Sequence, residues 1–93
     1  MGLSDTDDNG NRIAVNDPRL DPIWAECGAL GFPVLIHSAE PPSFWKPKDK
    51  NNERWLELKQ KPGRYRDPAK VPSFESIIAE QHAVFKKHSG TTF

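Results

Sequence analysis

FPVLIHSAEPP, residues 32–42, is the stretch on which the predicted fold depends. An apolar, partly β-branched run over residues 34–36 ends on His37, and two prolines follow after a short interval. A run of this kind without polar alternation is typical of a strand buried on both faces, as in a parallel sheet covered by helices. The prolines predict that the strand stops there and that a loop begins.

Helical patterns lie on both sides of this strand. Apolar residues recur at helical spacing after two Asp-Pro pairs, and Gly31 fits a helix end, so the sequence predicts a helix over residues 21–30. Ser73 can cap a second helix, whose apolar spacing continues to about residue 88. The connection over residues 38–72 is rich in proline and predicted to be mostly irregular, with a short helix near residues 52–60.

The order of these elements is helix, buried strand, long loop, helix and the start of another strand. That order is typical of an α/β domain with parallel strands. Only one strand is clear, because residues 13–15 are a weak second candidate and residues 91–93 only begin a third. We therefore expect residues 1–93 to form a piece of one larger domain, and a complete small domain is the alternative.

The composition excludes several classes of protein. Thirteen basic and thirteen acidic residues give a formal net charge of zero, so the chain lacks the basic footprint of a nucleic-acid-binding protein. No apolar run approaches the ~18 residues of a membrane span, and no membrane partner is expected. The single cysteine, Cys27, fits a reducing compartment, and we expect a cytoplasmic protein. Cys27 lies on the apolar stripe of the first helix and is predicted to be a core residue.

His37 is the candidate for site chemistry. An imidazole at the carboxyl end of a barrel strand can ligate a metal or act as an acid or base. From spacing alone, a structural histidine is the commoner explanation, since no H-x-H, H-E-x-x-H or C-x-x-C pattern is present. His82 and His88 fall on the second predicted helix and are interpreted as ordinary helix residues.

Four segments have a distinctive order and spacing: NDPRLDPIW, GFPVLIHSAEPPSFW, DKNNERW and PSFESIIAEQHAVFKKHSGTTF. Together they resemble the amidohydrolase-2 family, metal-dependent hydrolases and decarboxylases related to aminocarboxymuconate-semialdehyde decarboxylase. The resemblance covers nearly the whole chain. The family fold is a (β/α)8 TIM barrel, so the resemblance implies an α/β fold with about two to three βα units of a partial barrel. Residues 38–72 would then be a long loop at the barrel rim.

The resemblance also implies a role for His37. A middle strand of the family barrel ends in a histidine that binds the catalytic divalent metal, usually zinc, and His37 matches that position. The other ligands of the family have no counterpart in this sequence, so we expect the isolated chain to be inactive and to bind zinc weakly or not at all. Glu40, Trp45 and Arg54 flank the predicted rim loop and are candidates for contacts with substrate, with ordinary surface or loop packing as the alternative.

Two classes of function follow from these patterns. The resemblance implies a segment of a metal-dependent enzyme that acts on a small molecule, by hydrolysis of C–N or C–O bonds or by non-oxidative decarboxylation. The alternative is a non-catalytic interaction module, or a remnant, that kept the scaffold and lost the chemistry. In that case the exposed barrel edges would need a partner or self-association to cover them.

Overall fold

The computed structural model describes residues 5–93, and the regular secondary-structure elements in that range are all helices. The three α-helices are α1 (Asp21–Leu30), α2 (Trp55–Gln60) and α3 (Phe74–Lys87). Short 3₁₀ helices cover Pro18–Leu20, Pro42–Trp45 and Pro62–Arg64. The β pairing of the described residues is a single isolated antiparallel bridge between Thr6 and Arg12. No helix in this part of the chain is both long enough and apolar enough to cross a membrane.

The predicted α/β fold, a partial (β/α)8 TIM barrel, is wrong for this chain. Residues 34–37 belong to no strand, and across residues 5–93 there is no sheet for the helices to cover. One backbone hydrogen bond, from Val34 N–H to the Thr92 carbonyl at 2.8 Å, joins two of the segments predicted as strands. A parallel ladder needs such bonds repeated along both strands, and a lone pair of strands is marginal without further strands or a covering helix.

Helix α1 occupies the predicted range, because its boundaries are set locally. Pro22 lies in its first turn, and Gly31 ends the helix in the left-handed region at φ 69°. The Gly31 N–H donates to carbonyls of the last turn, as expected for a glycine at this position. Trp24 is buried, but Ile23 and Leu30 are 52% and 56% exposed, so only part of the apolar stripe packs against the molecule.

Helix α3 also begins as predicted. The Ser73 hydroxyl accepts a hydrogen bond from the Ser76 N–H at 3.1 Å and so caps the first turn. Ile77 and Val84, seven residues apart on one face, are both buried. The helix ends at Lys87, with His88 as its C-cap at φ −110°, close to the predicted end near residue 88.

The core is small and draws on every α-helix. Its buried apolar side chains are Trp24, Phe44, Leu58, Ile77 and Val84. Phe93 adds ring contacts with Trp24 and with Phe85, whose centroids lie 6.0 and 4.8 Å away. The contacts of Phe93 therefore join the chain's last described residue to both α1 and α3.

The connection over residues 38–72 is held by individual side-chain and backbone hydrogen bonds rather than by a ladder of paired strands. Asn52 is buried, and its amide nitrogen donates to the carbonyls of Ser43 and Pro47 at 2.8 and 3.0 Å. The Arg66 N–H donates to the Phe44 carbonyl at 2.8 Å. The predicted helix near residues 52–60 is present as α2, within a connection that is more ordered than the sequence suggested.

Candidate functional site

His37 lies in the segment of residues 34–38, and its side chain faces solvent. Burial alternates along this segment, because Val34, Ile36 and Ser38 are half-buried while Leu35 and His37 are exposed. One face of the segment therefore packs on the molecule and the other is solvated, whereas the sequence had predicted burial on both faces. Within residues 5–93, the His37 imidazole forms no hydrogen bond or ion pair.

Two hydrogen bonds fix residues 34–38 in place. At one end, the Val34 N–H donates to the Thr92 carbonyl at 2.8 Å. At the other end, the Ser38 hydroxyl accepts a hydrogen bond from the Gln81 amide of α3 at 3.0 Å. His37 is therefore presented to solvent by a short stretch of chain that is held on both sides.

Two of the residues predicted to contact substrate are engaged in ion pairs. The Glu40 carboxylate is half-buried and accepts a hydrogen bond from the Arg66 guanidinium at 3.1 Å. The Arg54 guanidinium is exposed and lies 3.3 Å from the Glu57 carboxylate, one turn along at the start of α2. Both residues therefore have structural partners in this chain.

Trp45 lines a cleft between the 3₁₀ helix Pro42–Trp45 and the start of α3. The cleft has a volume of about 240 Å³, and Pro42, Pro68 and Phe74 complete its apolar walls. The Trp45 indole N–H donates to the Pro72 carbonyl at 2.9 Å, and its ring meets Phe74 edge to face at 5.7 Å. His37, Glu40 and Arg54 do not line this cleft, so the structure does not bring the four predicted site residues together.

The described residues do not fit a complete catalytic metal site. No three His, Cys, Asp or Glu side chains of residues 5–93 lie close enough together to hold a metal ion. A catalytic zinc site takes three protein ligands. His88 is paired with Asp21, and His82 is exposed with its ring 6.4 Å from that of Phe85. We therefore assign no catalytic step to a metal held by these residues alone.

A charged cluster between α1 and α3 was missed by the sequence reasoning. The Asp21 carboxylate at the start of α1 contacts His88 Nε2 at 2.9 Å and also pairs with the Lys87 ammonium. Hydrogen bonds from Lys87 and then from His88 hold the pKa of Asp21 below its usual range. The partners are 66 and 67 residues apart, so no spacing rule could have connected them. In the sequence, the basic residues at the end of α3 were the only indication of an acidic partner.

Comparison of the chain with protein-family models, with curated proteins and with solved structures finds no match. The resemblance to the amidohydrolase-2 family therefore rests on the sequence motifs, and the metal and the activity that it implies stay predictions for this chain.

Proposed function

We propose that this chain is a segment of a cytoplasmic, metal-dependent amidohydrolase-like enzyme, to which it contributes His37 as one metal ligand. The enzyme would hydrolyse a C–N or C–O bond of a small molecule or decarboxylate it, with zinc as the expected metal. Two features support the proposal. Four sequence motifs occur in the family's order, and His37 lies in a short segment that hydrogen bonds hold at Val34 and Ser38.

The exposure of the His37 imidazole is the observation that carries the proposal. A structural histidine packs or forms hydrogen bonds within its own chain, as His88 does with Asp21 at 2.9 Å. His37 does neither with the described residues, so both ring nitrogens are open to a group from elsewhere. A neutral imidazole is a common ligand of zinc, and the further ligands would come from polypeptide outside the described residues.

Among the residues predicted to contact substrate, Trp45 has the best-supported place in this proposal. It lines a cleft of about 240 Å³ together with Pro42, Pro68 and Phe74, and Lys46, Ser73 and Glu75 add polar groups to the lining. Contacts of Glu40 or Arg54 with substrate stay predictions. To contact a substrate, Glu40 would have to keep or release its ion pair with Arg66, and Arg54 its ion pair with Glu57.

The test is elemental analysis of the complete protein encoded by the gene that contains this segment. His37→Ala is expected to lower bound metal and activity together. Loss of an outer-shell partner of a ligand already costs about 10–100-fold in metal affinity, and loss of the ligand itself should cost at least as much. His82→Ala is the matched control, because His82 is also exposed but lies on α3. Unchanged metal content in His37→Ala would contradict the proposal.

A second candidate function is association without catalysis. Phe32 and Leu35 are 61% and 98% exposed, and no backbone hydrogen bond within residues 5–93 uses Leu35 or Ile36. Exposed apolar side chains beside unpaired backbone groups favour contact with another polypeptide. The DNA sequence on either side of this coding segment distinguishes between the two candidate functions. Codons for an upstream H-x-H pair and a further strand-end histidine support the enzyme, and their absence from the gene supports the association module.

A further inference from the structure

The basic residues of this chain are concentrated in one part of the sequence. Residues 46–70, here called the basic segment, contain nine basic and four acidic residues, which gives a formal net charge of +5. The rest of the chain contains four basic and nine acidic residues, so the net charge of zero combines two parts of opposite sign. The zero net charge, which argued against a nucleic-acid partner, therefore does not describe this segment. Charge asymmetry of this size indicates a partner of opposite charge.

The basic segment also holds most of the unpaired positive charge. Arg54 and Arg64 share one carboxylate, that of Glu57, so this cluster keeps a positive charge. Outside the segment, Lys86 is the one basic side chain of the described residues that is exposed and without an ion pair. Within the segment, six exposed lysines form no ion pair with the described residues: Lys46, Lys48, Lys50, Lys59, Lys61 and Lys70.

The fold brings the two ends of the basic segment together. The Lys48 ammonium lies 4.6 Å from the centroid of the Tyr65 ring, and Tyr65 stands between Arg64 and Arg66 in the sequence. The Arg66 N–H donates to the Phe44 carbonyl at 2.8 Å, just before the segment begins. Basic side chains that are about 16 residues apart in the chain are therefore neighbours, as the binding of a polyanion requires.

An aromatic cleft adjoins this charge. Trp45 and Phe74 line the cleft of about 240 Å³ and meet edge to face at 5.7 Å, and Lys46 lines the same cleft. The cleft is smaller than the about 300–1,000 Å³ of a drug-sized site, so it suits a single planar group. A nucleobase fits this description, and the phosphate attached to it would meet the Lys46 ammonium. Glu75 also lines the cleft, and its carboxylate can accept a hydrogen bond from the amino group of a base.

We propose that the basic segment and Trp45 bind single-stranded nucleic acid, with phosphates on the lysines and a base in the cleft. Single strands are favoured because their bases are free to contact aromatic rings. An anionic membrane surface fits less well, since membrane binding also needs apolar side chains to insert. The basic segment, which the structure describes in full, exposes one large apolar side chain, Leu56. The proposal goes beyond both candidate functions and rests on neither.

Fluorescence anisotropy of a labelled oligodeoxycytidylate of about 12 nucleotides, titrated with the 93-residue chain, tests the proposal. Three or four phosphate contacts on a single strand would make the affinity fall about 20- to 50-fold between about 50 and 200 mM salt. Absence of binding at protein concentrations up to about 1 mM, in the lower salt, would overturn the proposal.

Charge variants locate the interface. Lys46→Gln should weaken binding and reduce the slope of log affinity against log salt by about 0.7, the value for one phosphate contact on a single strand. Lys86→Gln makes the same change on α3, outside the basic segment, and should leave both quantities unchanged. Circular dichroism shows that each variant is folded. Equal effects of the two variants would contradict binding at the basic segment.

The contribution of the bases is tested with an oligonucleotide of the same length that has only abasic sites. It carries the same phosphates, and it should bind at least about tenfold more weakly because it has no base to place against Trp45. Equal affinity for the two oligonucleotides would overturn the assignment to nucleic acid. Binding to phosphatidylserine vesicles without binding to the oligodeoxycytidylate would assign the basic segment to a membrane surface instead.

Discussion

The Asn52 side chain forms several hydrogen bonds that hold the connection between the 3₁₀ helix Pro42–Trp45 and α2. Its amide nitrogen donates to the Ser43 and Pro47 carbonyls, its amide oxygen accepts from the Arg54 N–H at 2.9 Å, and the residue is only 6% exposed. Asn52→Ala leaves these buried groups unpaired and is expected to lower the free energy of unfolding by about 1–3 kcal/mol.

Urea unfolding followed by circular dichroism measures this loss. Asn51→Ala is the control, because Asn51 is exposed and its only hydrogen bond among the described residues uses its backbone N–H. Equal unfolding midpoints for the two variants would show that the Asn52 amide does not stabilise the connection.

The N-E-R-W motif shows what residue patterns can and cannot predict. The motif supported the family resemblance, and within it the sequence reasoning selected Arg54, a charged residue beside a predicted rim. Its first residue, Asn52, has the buried structural role, while Arg54 is exposed and pairs with Glu57. An asparagine among turn-forming residues is typical of a loop. Its burial depends on the Ser43 and Pro47 carbonyls, which come close to it only when the connection is folded.

At the scale of elements, α1 packs closely against residues 90–91 at Gly28. A Cβ atom at Gly28 would lie 2.6 Å from the Thr91 hydroxyl and 3.2 Å from the Gly90 carbonyl oxygen. The same hydroxyl donates to the Trp24 carbonyl at 2.8 Å. Gly28→Ala therefore displaces the segment that holds α1, and we expect a loss of about 1–3 kcal/mol, despite the higher helix propensity of alanine.

Thermal unfolding of Gly28→Ala beside Gly63→Ala tests this contact. Nothing lies within 4 Å of a Cβ atom at Gly63, so that control should match or slightly exceed the stability of the wild type. A Gly28→Ala variant as stable as Gly63→Ala would show that the contact with residues 90–91 is not tight.

The sequence predicted the helices correctly and a sheet that residues 5–93 do not form, for one physical reason. Hydrogen bonds within a helix are local, so a cap at Ser73 and a left-handed glycine at Gly31 mark its ends in the sequence itself. The bonds of a strand depend on a distant partner. Residues 34–37 have an apolar strand composition, yet a single bond to Thr92 is all the pairing with another segment that the described chain gives them.

At the scale of the whole molecule, side chains fasten distant segments to α3. Glu80 accepts two hydrogen bonds from Arg12 at 2.8 and 3.0 Å, Gln81 holds Ser38, and the Asp21 carboxylate joins α1 to the end of α3. The sequence identified His37 as the candidate ligand, but it could not predict these contacts. Nor could it predict that Glu40, another of the predicted site residues, pairs with Arg66.

The attachment of α1 to α3 gives the molecule a predictable response to acid. Hydrogen bonds from Lys87 and then His88 hold the pKa of Asp21 below its ordinary value. A carboxyl group whose pKa is lower in the folded state adds stability above its unfolded value of about 3.9, and this stability is lost as pH falls through the folded value. We therefore expect the free energy of unfolding to fall as the pH is lowered below about 4, and to fall less in Asp21→Asn.

Urea unfolding at pH 7 and at several values between pH 4 and pH 2 measures this difference. Asp8→Asn is the control, since Asp8 is exposed and forms no ion pair with the described residues, so its acid dependence should match that of the wild type. Asp17, whose pKa the Arg19 guanidinium lowers to about 2, keeps a second acid-dependent contact in every variant. Asp21→Asn should therefore reduce the dependence without abolishing it, and an unchanged slope would show that Asp21 does not tie α1 to α3 in solution.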